Sequence, residues 1–130
     1  MDCVNDNFSR KRQLEQRTKK FAVAVLVFLN SLPSSNTARI ISYQLGKSAT
    51  AIGANYREAN GAESRADFAH KIGIVLKEAM ETEYWLEILE SLYPGEVQVA
   101  DLKAEVTEFV RIFQKARRSL REKETNGSIG

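Results

Sequence analysis

The chain has 130 residues, 43% apolar and 28% charged, enough for one domain with a real core and leaving little room for a second. Nineteen Lys and Arg against seventeen Asp and Glu give a formal charge of +2, which by itself points to no partner. One cysteine, Cys3, excludes an intrachain disulfide framework and a thiolate zinc site, and makes a reducing, cytoplasmic setting the default.

Two prolines and seven glycines are few, which favours long helices over a turn-rich β architecture. The first twenty residues are polar, so no signal-peptide apolar region opens the chain. Phe21 to Leu29 is a run of nine apolar residues, well short of the about 20 needed to span a bilayer.

Four helical segments follow in order. The first runs from about Arg10 to Leu32, with Leu14, Thr18, Phe21, Val25, Phe28 and Leu32 on one face, and Pro33 stops it. The second is capped by Asn36 and carries Ala38, Ile41, Leu45, Ser48, Ile52, Asn55 and Ala59 at the same spacing. It ends near Asn60-Gly61, a pair suited to a left-handed cap. Gly46 and Gly53 in this helix predict close approach by a neighbouring backbone, and Asn55 is expected to bridge helices or close a turn.

The third segment opens with Ser64-Arg-Ala-Asp67, close to a capping box, and presents Phe68, Ile72, Val75, Ala79, Thr82, Leu86 and Leu89 before Pro94-Gly95. The fourth presents Val99, Leu102, Val106, Phe109, Phe113, Ala116 and Leu120. Connections this short favour antiparallel neighbours. The expected fold is all-α, an up-down-up-down antiparallel four-helix bundle in a single domain, residues 1–130, with its core at about 10–123 and flexible ends at 1–9 and 124–130.

The first segment is apolar around its whole circumference from Phe21 to Leu29, and the third carries Ile74, Trp85, Ile88 and Leu92 off its main stripe. Such a surplus predicts a homo-oligomer; the other reading is deep burial within the bundle.

Several blocks carry a family resemblance. Ser48-Ala-Thr-Ala-Ile-Gly-Ala-Asn-Tyr-Arg-Glu-Ala59, Ser64-Arg-Ala-Asp-Phe68, Lys71-Ile-Gly-Ile-Val-Leu-Lys-Glu-Ala79 and Glu83-Tyr-Trp-Leu-Glu87 closely resemble the bacterial four-helix-bundle proteins encoded in 23S rRNA intervening sequences. The likeness covers roughly Lys19 to Phe113. Its most specific part lies around Asn55, Tyr56, Arg57 and Glu58, with Phe68 downstream, and Gly53 stands where many relatives have proline. The resemblance implies a homo-oligomer, commonly a pentameric ring, with no known enzymatic activity. A related branch, the accessory variability proteins of diversity-generating retroelements, implies a reverse transcriptase and nucleic acid as possible partners.

No catalytic or metal constellation emerges. The single histidine, His70, cannot supply the two Glu-x-x-His pairs of a carboxylate-bridged metal bundle, and Cys3 has no histidine near it in sequence. Glu78, Glu81, Glu83, Glu87 and Glu90 spread around a helix as a solvated face, and Arg57 and Glu58 are expected to pair with neighbouring helices. No set of nucleophile, base and oxyanion donor is present, so the chain is read as a non-enzyme without cofactor or metal.

Charge placement is the informative signal. Arg10, Lys11, Arg12, Arg17, Lys19 and Lys20 stand against Glu15 alone, and Arg111, Lys115, Arg117, Arg118, Arg121 and Lys123 against Glu122 alone, a sum of +5 in each run. Glu78 to Glu108 holds nine acids and one base, Lys103, a sum of −8. In an up-down-up-down bundle the two basic runs meet at one end and the acids gather at the other. Bases at the start of the first helix and acids at the end of the third also oppose the helix dipole, which suggests a use for them. The expected function is binding of RNA or DNA backbone by a basic pole; the alternatives are a protein-interaction scaffold and a basic end that serves only solubility.

Overall fold

The computed structural model describes residues 3–129, and the side chains of residues 7–123. It contains four helices: α1 (Cys3–Asn30), α2 (Asn36–Asn60), α3 (Arg65–Leu92) and α4 (Val97–Ile129). α1 begins at Cys3 and α4 runs to Ile129, so helical backbone extends past the expected core at both ends. Residues 1, 2 and 130 lie outside the described residues.

Side-chain contacts fix the direction of each helix. Asn60 of α2 donates to Glu15 of α1, whereas Gly46, earlier in α2, lies against Leu26 and Leu29, later in α1. Thr82 meets Ser48 between α3 and α2, and Lys103 meets Glu90 and Thr107 meets Glu83 between α4 and α3. Phe21 packs edge-on against Phe109 while Phe28 shares a groove with Leu102, so α1 and α4 are also antiparallel. The bundle is therefore up-down-up-down.

The core follows the three-four spacing closely. Thr18, Phe21, Val25 and Phe28 of α1, Ile72 to Leu89 of the α3 stripe, and Val99, Leu102, Val106, Phe109 and Phe113 of α4 are buried. The stripe of α2 turns at Ile52, where Tyr56 rather than Asn55 enters the core. Asn55 is half-buried, and its Nδ2 donates to the Ala51 carbonyl at 2.8 Å within its own helix, so it does not bridge helices as expected.

Three hydroxyls occupy core positions, each with its hydrogen-bonding capacity met. Thr18 bonds the Leu14 and Glu15 carbonyls of the preceding turn, and Ser48 and Thr82 meet across α2 and α3 at 2.9 Å. A buried hydroxyl without a partner costs about 1–3 kcal/mol, so this pair also ties the register of α2 to that of α3.

Local chemistry corrects two ends. The N-cap of α2 is Ser35, not Asn36: its backbone is extended and its hydroxyl accepts from the Ala38 N–H. Gly61 closes α2 at φ −98°, so it is not left-handed; the left-handed glycine is Gly95, at φ 83° in the turn after Pro94. Ser64 caps α3 as expected, accepting from the Asp67 N–H.

The close approach expected at glycine is found at Gly53. A Cβ there would stand 2.9 Å from Thr18 Oγ1, and it would lie 3.5 Å from the Thr18 backbone carbon, which brings α1 and α2 together at this level. At Gly46 a Cβ would meet only the side chains of Leu26 and Leu29, at 3.6 and 3.7 Å, so no close backbone approach occurs there.

Candidate nucleic-acid interface

Antiparallel α1 and α4 place the first turns of α1 beside the last turns of α4. Arg10, Lys11 and Arg12 thus share one end of the bundle with Lys115, Arg117, Arg118, Arg121 and Lys123, and all are exposed. Lys19, Lys20 and Arg111 are exposed too, but they sit near mid-height, at the level fixed by the Phe21–Phe109 contact.

Two members of the basic runs are engaged by the acidic stretch. Arg17 forms a two-bond pair with Glu105, and Arg111 lies 3.4 Å from Glu108. The bond to Glu105 raises the Arg17 pKa further above its ordinary value, so Arg17 holds its charge but spends it inside the molecule. Arg10, Lys11, Arg12, Lys19, Lys20, Lys115, Arg117, Arg118 and Lys123 have no carboxylate at ion-pair distance among the described residues.

Two grooves follow these bases. One runs along α1 beside Phe8, Arg12, Arg17 and Lys20; the other, between α3 and α4, is lined by Leu76, Gln114, Arg117, Arg118 and Arg121. A third groove, between α1 and α4 in the acidic half, is lined by Ala24, Val27, Phe28, Asp101 and Leu102 and contains no base.

The opposite end is acidic but partly neutralised. Lys103 bonds Glu90 at 2.9 Å, which raises the Lys103 pKa, and Glu83 accepts from the Thr107 hydroxyl. Glu78 is not at that end but beside Lys77, which shares a groove with Arg117; burial, with help from Glu81, raises its pKa.

Only α3 opposes its dipole, with Glu90 in its last turn before Leu92. Because α1 begins at Cys3, Arg10 to Arg12 lie beyond its first turn, where the dipole has decayed; the basic run of α4 likewise ends at Lys123, before Ile129. Charge placement on the bundle, not charge at helix termini, is what creates the pole.

The motif residues have structural or peripheral positions. Tyr56 is buried with its ring tilted against Phe113 at 5.5 Å, and burial raises its pKa. Phe68 packs against the core from its edge. Arg57 and Glu58 are exposed and, contrary to expectation, form no ion pair among the described residues. Arg57 and Arg65 are exposed at the same end, but Glu58 and Glu63 stand beside them, so they add no net charge to it.

The apolar surplus remains outside the core. Val23, Leu26 and Val27 of α1, Ile40 and Tyr43 of α2, and Met80, Tyr84 and Leu92 of α3 are exposed, so this single chain does not bury them. Ile74, Trp85 and Ile88 are half-buried. Among the described residues no helix is long and apolar enough to cross a membrane, and no cluster of His, Cys, Asp and Glu has the arrangement of a metal site.

Comparison with known proteins agrees with this architecture. A crystal structure of a protein of unknown function from the S23 ribosomal protein family of Bacteroides thetaiotaomicron VPI-5482 is similar, with 38% identity and a TM-score of 0.72 over 79% of this chain and 96% of that one. No curated protein matches the chain. Residues 10–115 match the family described as 23S rRNA-intervening sequence protein, and with that match covering most of its length the chain belongs to this family.

Proposed function

We propose that the protein is a non-enzymatic homo-oligomer that binds the phosphate backbone of RNA or DNA through its basic end. The observation that carries this reading is the antiparallel placement of α1 and α4, which collects Arg10, Lys11 and Arg12 with Arg117, Arg118 and Lys123 at one end of the bundle, exposed and with no carboxylate at ion-pair distance among the described residues. Phosphate contacts of this kind supply affinity without base specificity. The exposed Val23, Val27, Ile40 and Tyr43 support self-association, since a side-by-side assembly covers them, and a ring with parallel subunits gathers the basic ends on one rim.

A scaffold that docks a protein is the second reading, favoured by the base-free apolar groove between α1 and α4. Binding of labelled RNA at low salt separates the two. Neutralising Arg117→Gln, Arg118→Gln and Arg121→Gln together is expected to weaken binding about 10-fold or more. Wild-type protein that fails to bind RNA or DNA at low salt overturns the nucleic-acid reading.

A further inference from the structure

The α3 surface beside the basic end carries a second pattern. His70, Gly73, Lys77, Met80 and Tyr84 follow one another at steps of three and four, so they form one stripe along the helix. His70 and Lys77 are exposed, and Met80 and Tyr84 stand 50% and 57% exposed.

Arg117 of α4 lies across this stripe. Its guanidinium carbon and Nε are 3.9 Å from the position a Cβ on Gly73 would take, ordinary contact distance, so the guanidinium lies against α3 at this level. His70, Lys77 and Met80 line the same groove as Arg117, and Arg117 also lines the next groove with Arg118 and Arg121. A continuous cationic path therefore leads from the last turns of α4 onto α3. Neither Arg117 nor Lys77 has a carboxylate at ion-pair distance among the described residues.

Beyond Lys77 the stripe changes from charge to apolar and aromatic surface. Tyr84 lies seven residues further on, about 10 Å along the helix axis. Glu87, one turn beyond Tyr84 and ten residues beyond Lys77 in α3, disfavours a phosphate at the ring and leaves it to an uncharged group. Cations followed by an exposed aromatic ring match a strand whose phosphates and base faces are both accessible, whereas a duplex keeps its base faces stacked inside.

We infer that this path takes single-stranded nucleic acid, its phosphates along Arg118, Arg117 and Lys77 and a base against Met80 at the groove's edge and Tyr84 one turn beyond it. The inference rests on the nucleic-acid reading above and adds the strand state and the aromatic contact.

The protein carries its own reporter. Trp85 is the one tryptophan in the sequence, and its ring meets Tyr84 edge-on with centroids 5.4 Å apart. The test is a titration with an oligothymidylate single strand and with its oligodeoxyadenylate duplex of equal length. Anisotropy of a labelled strand and Trp85 emission with an unlabelled one are read in parallel. The single strand is expected to bind about 10-fold more tightly than the duplex and to shift Trp85 emission with the same midpoint as the anisotropy. Tyr84→Ala is expected to weaken single-strand binding about 10-fold while leaving duplex binding unchanged, and Tyr84→Phe to restore it. Equal affinity for both forms, unchanged Trp85 emission at saturation, or a Tyr84→Ala protein that binds like wild type overturns this inference while leaving the basic end as the binding surface. Failure of both forms to bind overturns the basic-end reading as well.

Discussion

Arg17 of α1 holds Glu105 of α4 through two parallel hydrogen bonds, Nε to Oε2 at 2.8 Å and Nη2 to Oε1 at 2.7 Å, with its guanidinium 5.2 Å from the centre of the Phe109 ring. The bond joins the basic stretch of one helix to the acidic stretch of another, and it marks the level at which the two charged halves meet. The pair is partly open to water, with the Arg17 side chain 41% exposed, so its value is that of a well-oriented surface pair.

Arg17→Ala is therefore expected to lower stability by about 0.5–1 kcal/mol, read as a shift in the urea midpoint. The same substitution is expected to change RNA affinity by less than about two-fold, because this cation is already committed. An effect on RNA binding as large as that of Arg117→Ala contradicts the assignment.

Gly53 predicts a destabilising substitution with a definite partner. An alanine Cβ would meet Thr18 Oγ1 at 2.9 Å and Thr18 Cβ at 3.3 Å, and Thr18 is fully buried and short, with no flexible end to yield. Overpacking costs about 1–3 kcal/mol, and the gain in helix propensity offsets about 1 of that. Gly53→Ala is expected to lower the melting temperature, and the Thr18→Ala, Gly53→Ala double variant to be more stable than the sum of the singles implies, as a double-mutant cycle measures. Strict additivity would show that the two helices separate freely at this contact.

The stability of the bundle should carry a signature of Tyr56 in alkali. Burial, ahead of the other influences, raises the folded-state pKa of this phenol above its ordinary 10.0. A raised value means that the neutral form is favoured by folding, so the contribution is complete below pH 10.0 and is lost as pH rises through the higher folded value. Wild-type protein should lose melting temperature more steeply than Tyr56→Phe across that window. Parallel curves for the two proteins contradict the burial of Tyr56 against Phe113.

The helices were legible because their faces are written locally. Even the three core hydroxyls, Thr18, Ser48 and Thr82, fall on the expected stripes, since position in the three-four repeat outweighs side-chain polarity when a carbonyl one turn back accepts the bond. The shift from Asn55 to Tyr56 was hidden because both lie within one step of the stripe, and the larger ring takes the interior. Ser35 and Asn36 are adjacent residues with equal capping capacity, so only the extended backbone at Ser35 separates them.

The charged poles were partly legible. Runs of like charge mark the two basic clusters, but the commitment of Arg17 to Glu105 spans 88 positions and leaves no local trace. The stripe from His70 to Tyr84 was missed for a different reason: it mixes charge, glycine, thioether and ring, and only Arg117, arriving from another helix, makes it a groove.

The central claim is that the basic end binds a phosphate backbone, and the salt dependence of RNA affinity tests it most directly. Each phosphate contact on a single strand contributes about −0.7 to the slope of log K against log salt concentration, so engagement of about six bases predicts a slope near −4. Neutralising Arg117 and Arg118 to glutamine should make that slope less steep by about 1.4. A slope near zero, or one that these substitutions leave unchanged, would contradict the account.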